Sequence, residues 1–190
     1  MLRNSSFLSL FLSLFFVFTC QSDDDESEIF QNSVGSTIQL HFDGENDNSP
    51  SLAGGSYVVA LKLPVEELQT FEGRSILGIN VFVREVPDSA SLVVYKGTAR
   101  REPVELVTEK DISAELNGNQ WNNLQLDEPV AIAGDDYWFA LKFSHVDQLA
   151  VIGCDAGPAN ENGNWISGLL NESWIQFTAD VNWNIRAVIE

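Results

Sequence analysis

The alternation of apolar and polar residues at every second position constrains the fold of this chain more than any other feature of its sequence. Residues 137–143 are the strongest example: aromatic residues and leucine occupy the odd positions, and Trp138 and Ala140 occupy two of the even ones. A repeat of two places successive side chains on opposite faces of a β-strand. This segment is therefore the strongest strand prediction in the chain, and both of its faces carry apolar groups.

Similar segments follow one another along the chain. Together they amount to about nine or ten short strands, with turn residues at intervals of about 8–12 positions. Only one short helix is predicted: Pro64 opens it, Val65, Leu68 and Phe71 share one face, and Gly73 ends it. Strands and helices do not alternate, which argues against a parallel α/β sheet. The sequence predicts an all-β fold: a two-sheet antiparallel β-sandwich, jelly-roll-like, with one short helix.

The beginning of the chain has a different composition. Residues 1–19 hold a short positive start and an apolar run at residues 7–18, which suits a secretory signal and is too short to span a bilayer. The run ends at Cys20, an arrangement that resembles a bacterial lipoprotein signal, in which this cysteine is lipidated. The acidic run after it resembles the signal that sends lipoproteins of Bacteroidetes-type bacteria to the outside of the outer membrane. The predicted organisation is a signal peptide over 1–19, a lipidated cysteine with a flexible acidic tether over 20–36, and a jelly-roll domain over 37–190.

The charge balance limits the choice of partners. The chain has 28 Asp and Glu residues against 10 Lys and Arg residues, a formal net charge of -18. Such a surface repels phosphate backbones, so we expect no nucleic acid partner. It also offers no basic patch to anionic lipids. The predicted membrane attachment is therefore the lipid anchor.

The two cysteines exclude one class of small secreted fold. If Cys20 is lipidated, Cys154 has no partner within the chain, so neither a disulfide framework nor a cysteine-based zinc cluster is expected. Cys154 follows an apolar strand and is predicted to be a buried, unreactive thiol. His41 lies on the polar side of the strand at residues 37–42, and we expect it to be solvated.

Four groups of residues carry a family resemblance. They are His41–Gly44 with Gly54 and Gly55; Leu63–Pro64 and Leu77–Phe82; Trp121–Asn122 and Leu126–Val130; and Gly153–Pro158, Asn164–Ser167 and Asn182–Arg186. Through them the chain is similar over residues 37–190 to the β-sandwich (jelly-roll) modules of secreted and surface proteins of Bacteroidetes-type bacteria, which are related in style to the adhesin modules of gingipain-like proteases. The resemblance implies a non-catalytic accessory module.

A candidate metal site lies in the loop after the first predicted strand. Asp43, Glu45 and Asp47 place oxygen ligands at alternate positions, and calcium prefers such hard ligands. Related adhesin modules carry structural calcium, so the resemblance implies the same possibility here. The alternative is a polar turn without a metal, because Asp, Asn and Gly are common turn residues.

The long polar connection before the last strand carries the candidate ligand-binding residues. Asp155 is expected to cap backbone N–H groups of the turn at residues 156–158. Trp165 either folds back onto the core or, together with Trp174, offers a flat apolar face to a sugar ring. In that second interpretation, Asn164 and the asparagines at positions 160 and 162 would form hydrogen bonds with the ligand.

No catalytic motif of a recognisable kind occurs in the sequence. The leading hypothesis is a lipid-anchored, surface-exposed outer-membrane lipoprotein that acts as a non-catalytic binding or adhesion module for an extracellular glycan or protein. One alternative is a structural accessory subunit of an outer-membrane assembly. Another is a hydrolase on a jelly-roll scaffold, which would require two carboxylates facing each other in a pocket.

Overall fold

The computed structural model of the chain describes residues 29–34, 36–99, 101–168 and 173–190. Within these residues the chain forms β-strands wherever the repeat of two is strong. The strands are β1 (Phe30–Val34), β2 (Thr37–His41), β3 (Gly55–Leu63), β4 (Ser75–Val83), β5 (Ser89–Ala99), β6 (Glu102–Asp111), β7 (Gln120–Ala131), β8 (Tyr137–His145), β9 (Trp165–Gly168), β10 (Trp174–Gln176) and β11 (Ile185–Ile189).

The predicted helix is present between β3 and β4. It consists of α1 (Val65–Leu68) and a 3-10 turn at Gln69–Phe71. Pro64 directly precedes the helix instead of being its first residue. Gly73 follows it with a φ of 78°, the left-handed conformation that glycine adopts without steric cost.

The strands form two antiparallel sheets, as the sequence predicted. One has the order β1-β2-β11-β4-β7 and the other has the order β10-β9-β3-β8-β5-β6. Apart from the β5–β6 hairpin, successive strands from β2 to β8 cross from one sheet to the other, and β11 returns to lie between β2 and β4. This is the connectivity of a jelly roll, with β1 added at one edge and the β9–β10 hairpin added at another.

The main core lies between the two sheets. Phe139, Leu141 and Phe143 project inward from β8 and are almost completely buried. They belong to the same apolar cluster as Ile79 and Val81 of β4 in the opposite sheet. Burial of apolar surface on this scale is the dominant favourable contribution to folding.

A second apolar cluster lies on the outer face of the six-stranded sheet. Its centre is Trp138 of β8, which is fully buried although it points away from the main core. The Trp165 and Trp174 rings each lie 5.2 Å from the Trp138 ring. The Trp138 indole N–H donates to the Thr98 hydroxyl at 3.1 Å. This cluster explains why both faces of β8 are apolar.

The N-terminal edge of the fold differs from the sequence prediction. Residues 30–34, which the sequence placed in the tether, form β1 and pair with β2 so that Phe30 lies opposite His41. The prediction of a solvated His41 is wrong, because β1 covers it and leaves it 4% exposed. Its Nδ1 lies 3.0 Å from an Asp43 carboxylate oxygen, and its Nε2 lies 2.9 Å from the Asn32 amide nitrogen. The alternation shows which side of β2 faces away from the core, but not which strand covers that side.

The described part of the chain contains no helix with the length and hydrophobicity that a bilayer crossing requires.

Candidate functional site

Asp155 is a buried structural acceptor. One of its carboxylate oxygens accepts hydrogen bonds from the Gly157 N–H at 3.0 Å and the Asn182 N–H at 2.7 Å. The other accepts from the Gly44 N–H at 3.0 Å and the Asn182 side-chain amide at 2.9 Å. Both oxygens are thus engaged by the protein, and the bond from the Gly157 N–H confirms the turn cap that the sequence predicted. Asp155 fixes three distant segments of the chain to one another.

The turn after Asp155 is held by the segment before the last strand. Asp180 accepts a hydrogen bond from the Ala159 N–H at 2.7 Å, and the Asn182 side-chain oxygen accepts one from the Asn160 N–H at 2.6 Å. Gly157 has a φ of 79°, and a Cβ there would lie 2.0 Å from the Asp180 carbonyl oxygen. Only glycine permits this close approach. The turn and the 180–182 segment therefore form one fixed wall.

A polar cleft opens beside this wall. It has a volume of about 380 Å³ and lies between residues 159–164 and residues 176–180. We call it the polar cleft; its polar lining residues are Asn160, Glu161, Asn164, Gln176, Thr178 and Asp180, and Phe177 also contributes to its wall. Among the described residues that line it, none is basic.

Asn164 is the least solvated polar residue of the cleft. It is 2% exposed, and its side-chain nitrogen donates a long hydrogen bond of 3.4 Å to the Phe177 carbonyl. Its side-chain oxygen has no hydrogen-bond partner among the described residues. A buried acceptor without a partner costs about 1–3 kcal/mol. This oxygen is covered by the protein, so Asn164 lines the cleft with other parts of the residue.

Phe177 separates the cleft from the main core. Its ring lies 4.8 Å from the Trp183 ring, and its backbone N–H donates to the Asn164 carbonyl at 2.8 Å. Gln176, one residue earlier, donates its side-chain amide to the Glu161 carbonyl at 2.8 Å. These two hydrogen bonds link the two walls of the cleft.

The structure leaves no free face on Trp165 for sugar stacking. Trp165 is 7% exposed and packs against Trp138 at an interplanar angle of 61°. It does fold back, as one interpretation of the sequence expected, but onto the outer cluster rather than the main core. Trp174 is half-buried beside Trp138 and Tyr95, on the same outer face. Neither tryptophan lines the polar cleft.

The residues of the predicted calcium site are not assembled around a common point. Asp43 is buried and forms an ion pair with Arg186, with an Nη2 to carboxylate distance of 2.8 Å. The Asn184 amide donates to the same carboxylate oxygen at 2.8 Å. Glu45 and Asp47 are exposed. In the described segments, no three His, Cys, Asp or Glu side chains lie close enough together to hold a metal ion.

The cysteines divide between the described and undescribed parts of the chain. Cys154 is 1% exposed and is a free thiol. Burial, with the nearby charges of Asp155 and Asp47, raises its pKa to about 11, so the unreactive thiol form predominates at neutral pH. Cys20, the predicted lipidation residue, lies outside the described residues.

Sequence reasoning identified part of the cleft and missed the rest. It singled out Asn164 and Asn160, which line the cleft, but not Gln176, Phe177 or Asp180. Those three follow a polar stretch with little alternation, so no local pattern marked them.

Comparison of the chain with family models, with curated proteins and with solved structures gives no match. The fold and the site therefore define this protein only as a jelly-roll β-sandwich with a polar cleft.

Proposed function

We propose that this protein is a non-catalytic carbohydrate-binding module and that the polar cleft is its binding site. The observation that carries the proposal is the lining of the cleft, which brings together the amide residues Asn160, Asn164 and Gln176 and the carboxylate residues Glu161 and Asp180. Sugar hydroxyls both donate and accept hydrogen bonds, so they match such a lining. Ligand sites of this kind combine a few placed polar groups with apolar wall, which Phe177 supplies here.

The charge of the cleft restricts the ligand class. Glu161 and Asp180 contribute negative charge, and the described lining residues include no basic side chain to balance it. These two carboxylates would repel an anionic ligand inside the cleft. A neutral, polyhydroxylated ligand fits the charge of the cleft best, so we propose neutral glycans as the ligands rather than sulfated or uronic polysaccharides.

The binding test uses exposed residues of the cleft. Glu161→Ala and Gln176→Ala change side chains that are exposed, so the sandwich core should persist. Gln176→Ala also removes the hydrogen bond to the Glu161 carbonyl that links the cleft walls. An array of neutral oligosaccharides identifies the best ligand, and calorimetry then measures its affinity for each variant. We expect each substitution to weaken binding at least tenfold, which corresponds to about 1.4 kcal/mol. The matched controls are Glu128→Ala and Gln125→Ala on β7, which are also exposed and should bind like wild type. Equal binding by all four variants would place the site elsewhere.

We also propose that the module is displayed on the outer membrane through a lipid on Cys20. The motif at residues 7–20 and the acidic tether after it support this. Each buried methylene of an acyl chain contributes roughly 0.8 kcal/mol, so two or three chains anchor a protein stably. Cys20→Ala should move the protein from the membrane pellet to the soluble fraction, whereas Cys154→Ala should not. A Cys20→Ala protein that still sediments with membranes would refute the anchor.

A hydrolase is the second candidate, because two carboxylates, Glu161 and Asp180, line one cleft. Glycoside hydrolysis uses such a pair. Asp180 already accepts the Ala159 N–H, which favours a structural use of this carboxylate. Release of reducing ends from a bound glycan, abolished by both Glu161→Gln and Asp180→Asn, would establish the hydrolase. Binding without turnover by wild type favours the non-catalytic module.

A further inference from the structure

A second pocket lies on the other side of Phe177 from the polar cleft. It has a volume of about 330 Å³, and the side chains of Tyr57, Ile166, Ile175 and Phe177 dominate its lining. We call it the apolar pocket. Phe177 and Thr178 line both the apolar pocket and the polar cleft. The two spaces are therefore neighbours that share one wall.

The apolar pocket is built into the sheet. Ile166 of β9 and Ile175 of β10 are paired in register, so both project to the same side of the hairpin. Ile166 is 7% exposed and belongs to the main core, whereas Ile175 is 57% exposed. The Tyr57 hydroxyl donates to the Ala53 carbonyl at 2.9 Å, which satisfies its polar group and leaves its ring as apolar wall.

We propose that the polar cleft and the apolar pocket form one bipartite site for a neutral glycan that carries an apolar substituent, such as an alkyl, acyl or aryl group. The sugar occupies the polar cleft, and the substituent crosses Phe177 into the apolar pocket. This inference rests on the proposed function and narrows it to a ligand class. A sugar that occupies the polar cleft leaves the Ile175 side chain uncovered, and an apolar substituent would cover it.

The physical basis is the apolar area that a substituent removes from water. Transfer of apolar surface from water contributes about 25 cal/mol per Å², or roughly 0.8 kcal/mol for each buried methylene group. A hexyl chain offers several such groups, and a methyl group offers one carbon. A site that accepts the substituent must therefore distinguish two glycosides of the same sugar by the length of their alkyl chain.

The experiment compares methyl and hexyl β-glycosides of glucose, galactose, mannose and N-acetylglucosamine by calorimetry, below the concentrations at which hexyl glycosides form micelles. For the sugar that binds, wild type should bind the hexyl glycoside at least tenfold more tightly than the methyl glycoside. Ile175→Thr should bring this ratio to within about twofold while the methyl glycoside binds as before. Threonine keeps the β-branched shape that suits a strand.

Two controls separate the inference from the function on which it rests. Val146→Thr alters an equally β-branched residue that is 83% exposed and outside the pocket, and it should keep the wild-type ratio. Glu161→Ala should weaken both glycosides together. Equal binding of the two glycosides by wild type, or an unchanged ratio in Ile175→Thr, would overturn the bipartite site and leave the polar cleft standing. Failure of every glycoside to bind wild type would overturn the glycan site itself.

Discussion

At the scale of single residues, Asp155 is the clearest example of a side chain that fixes the wall of the polar cleft without lining it. Its carboxylate accepts four hydrogen bonds from Gly44, Gly157 and Asn182. Asp155→Ala would leave these buried donors unpaired, at about 1–3 kcal/mol for each unsatisfied group. We expect it to lower the free energy of unfolding by roughly 3 kcal/mol or more in urea titrations.

The matched control for Asp155 is Asp127, whose side chain is 79% exposed. Asp127→Ala should change the free energy of unfolding by less than about 0.5 kcal/mol, as surface substitutions usually do. A similar, small effect of the two substitutions would contradict the structural role that we assign to the Asp155 carboxylate.

At the scale of secondary-structure elements, the outer cluster on β8 is a second centre of stability. Trp138 is fully buried, whereas Trp174, which packs on it, is half-buried. Trp138→Ala should therefore cost about 3–5 kcal/mol of unfolding free energy, as large-to-small core substitutions do. Trp174→Ala should cost clearly less by the same urea titration. Equal losses would mean that the outer cluster is not organised around Trp138.

Asp136, in the turn before β8, makes the stability of the fold depend on pH. Burial works to raise the pKa of Asp136, but hydrogen bonds from Thr98, the Val65 N–H and Lys62 outweigh it, so the pKa lies below its ordinary value. An aspartate in the unfolded chain has a pKa of about 3.9. Because the pKa of Asp136 is lower in the folded state, its carboxylate contributes its full stabilisation at pH values above that unfolded-state pKa. The stabilisation is lost as the pH falls through the folded-state pKa. The stability difference between wild type and Asp136→Asn should be constant near neutrality and shrink below about pH 4; a difference unchanged at pH 3 would contradict this assignment.

The elements also show what the sequence can and cannot predict. Strands such as β8 were predictable because side-chain alternation is a local property of the chain. The β9–β10 hairpin was not predicted as a pair, because its strands are short and one of them has only three residues. The polar cleft depends on contacts such as Asp155 with Asn182, 27 residues apart, and no local pattern encodes them. His41 was misplaced for the same reason, since a separate strand covers it.

At the scale of the whole molecule, the two-sheet sandwich carries the polar cleft at one edge. The polar cleft lies beside the β9–β10 hairpin, the insertion between β8 and the last strand, where loops usually carry function. The net charge of -18 favours solubility and disfavours anionic partners. The alternative of an accessory subunit makes a different prediction: co-purification with an outer-membrane assembly and no affinity for any glycan.

A chemical-shift titration of the isotope-labelled protein, with the neutral glycan that binds best on the array, tests directly whether the polar cleft is the binding site. We expect the largest amide shifts at residues 159–164 and 176–180, together with the Asn164 side-chain amide. These are the residues that form the polar cleft. Shifts concentrated instead on the exposed faces of Tyr95 and Trp174, or on β7, would contradict the assignment of the polar cleft as the binding site.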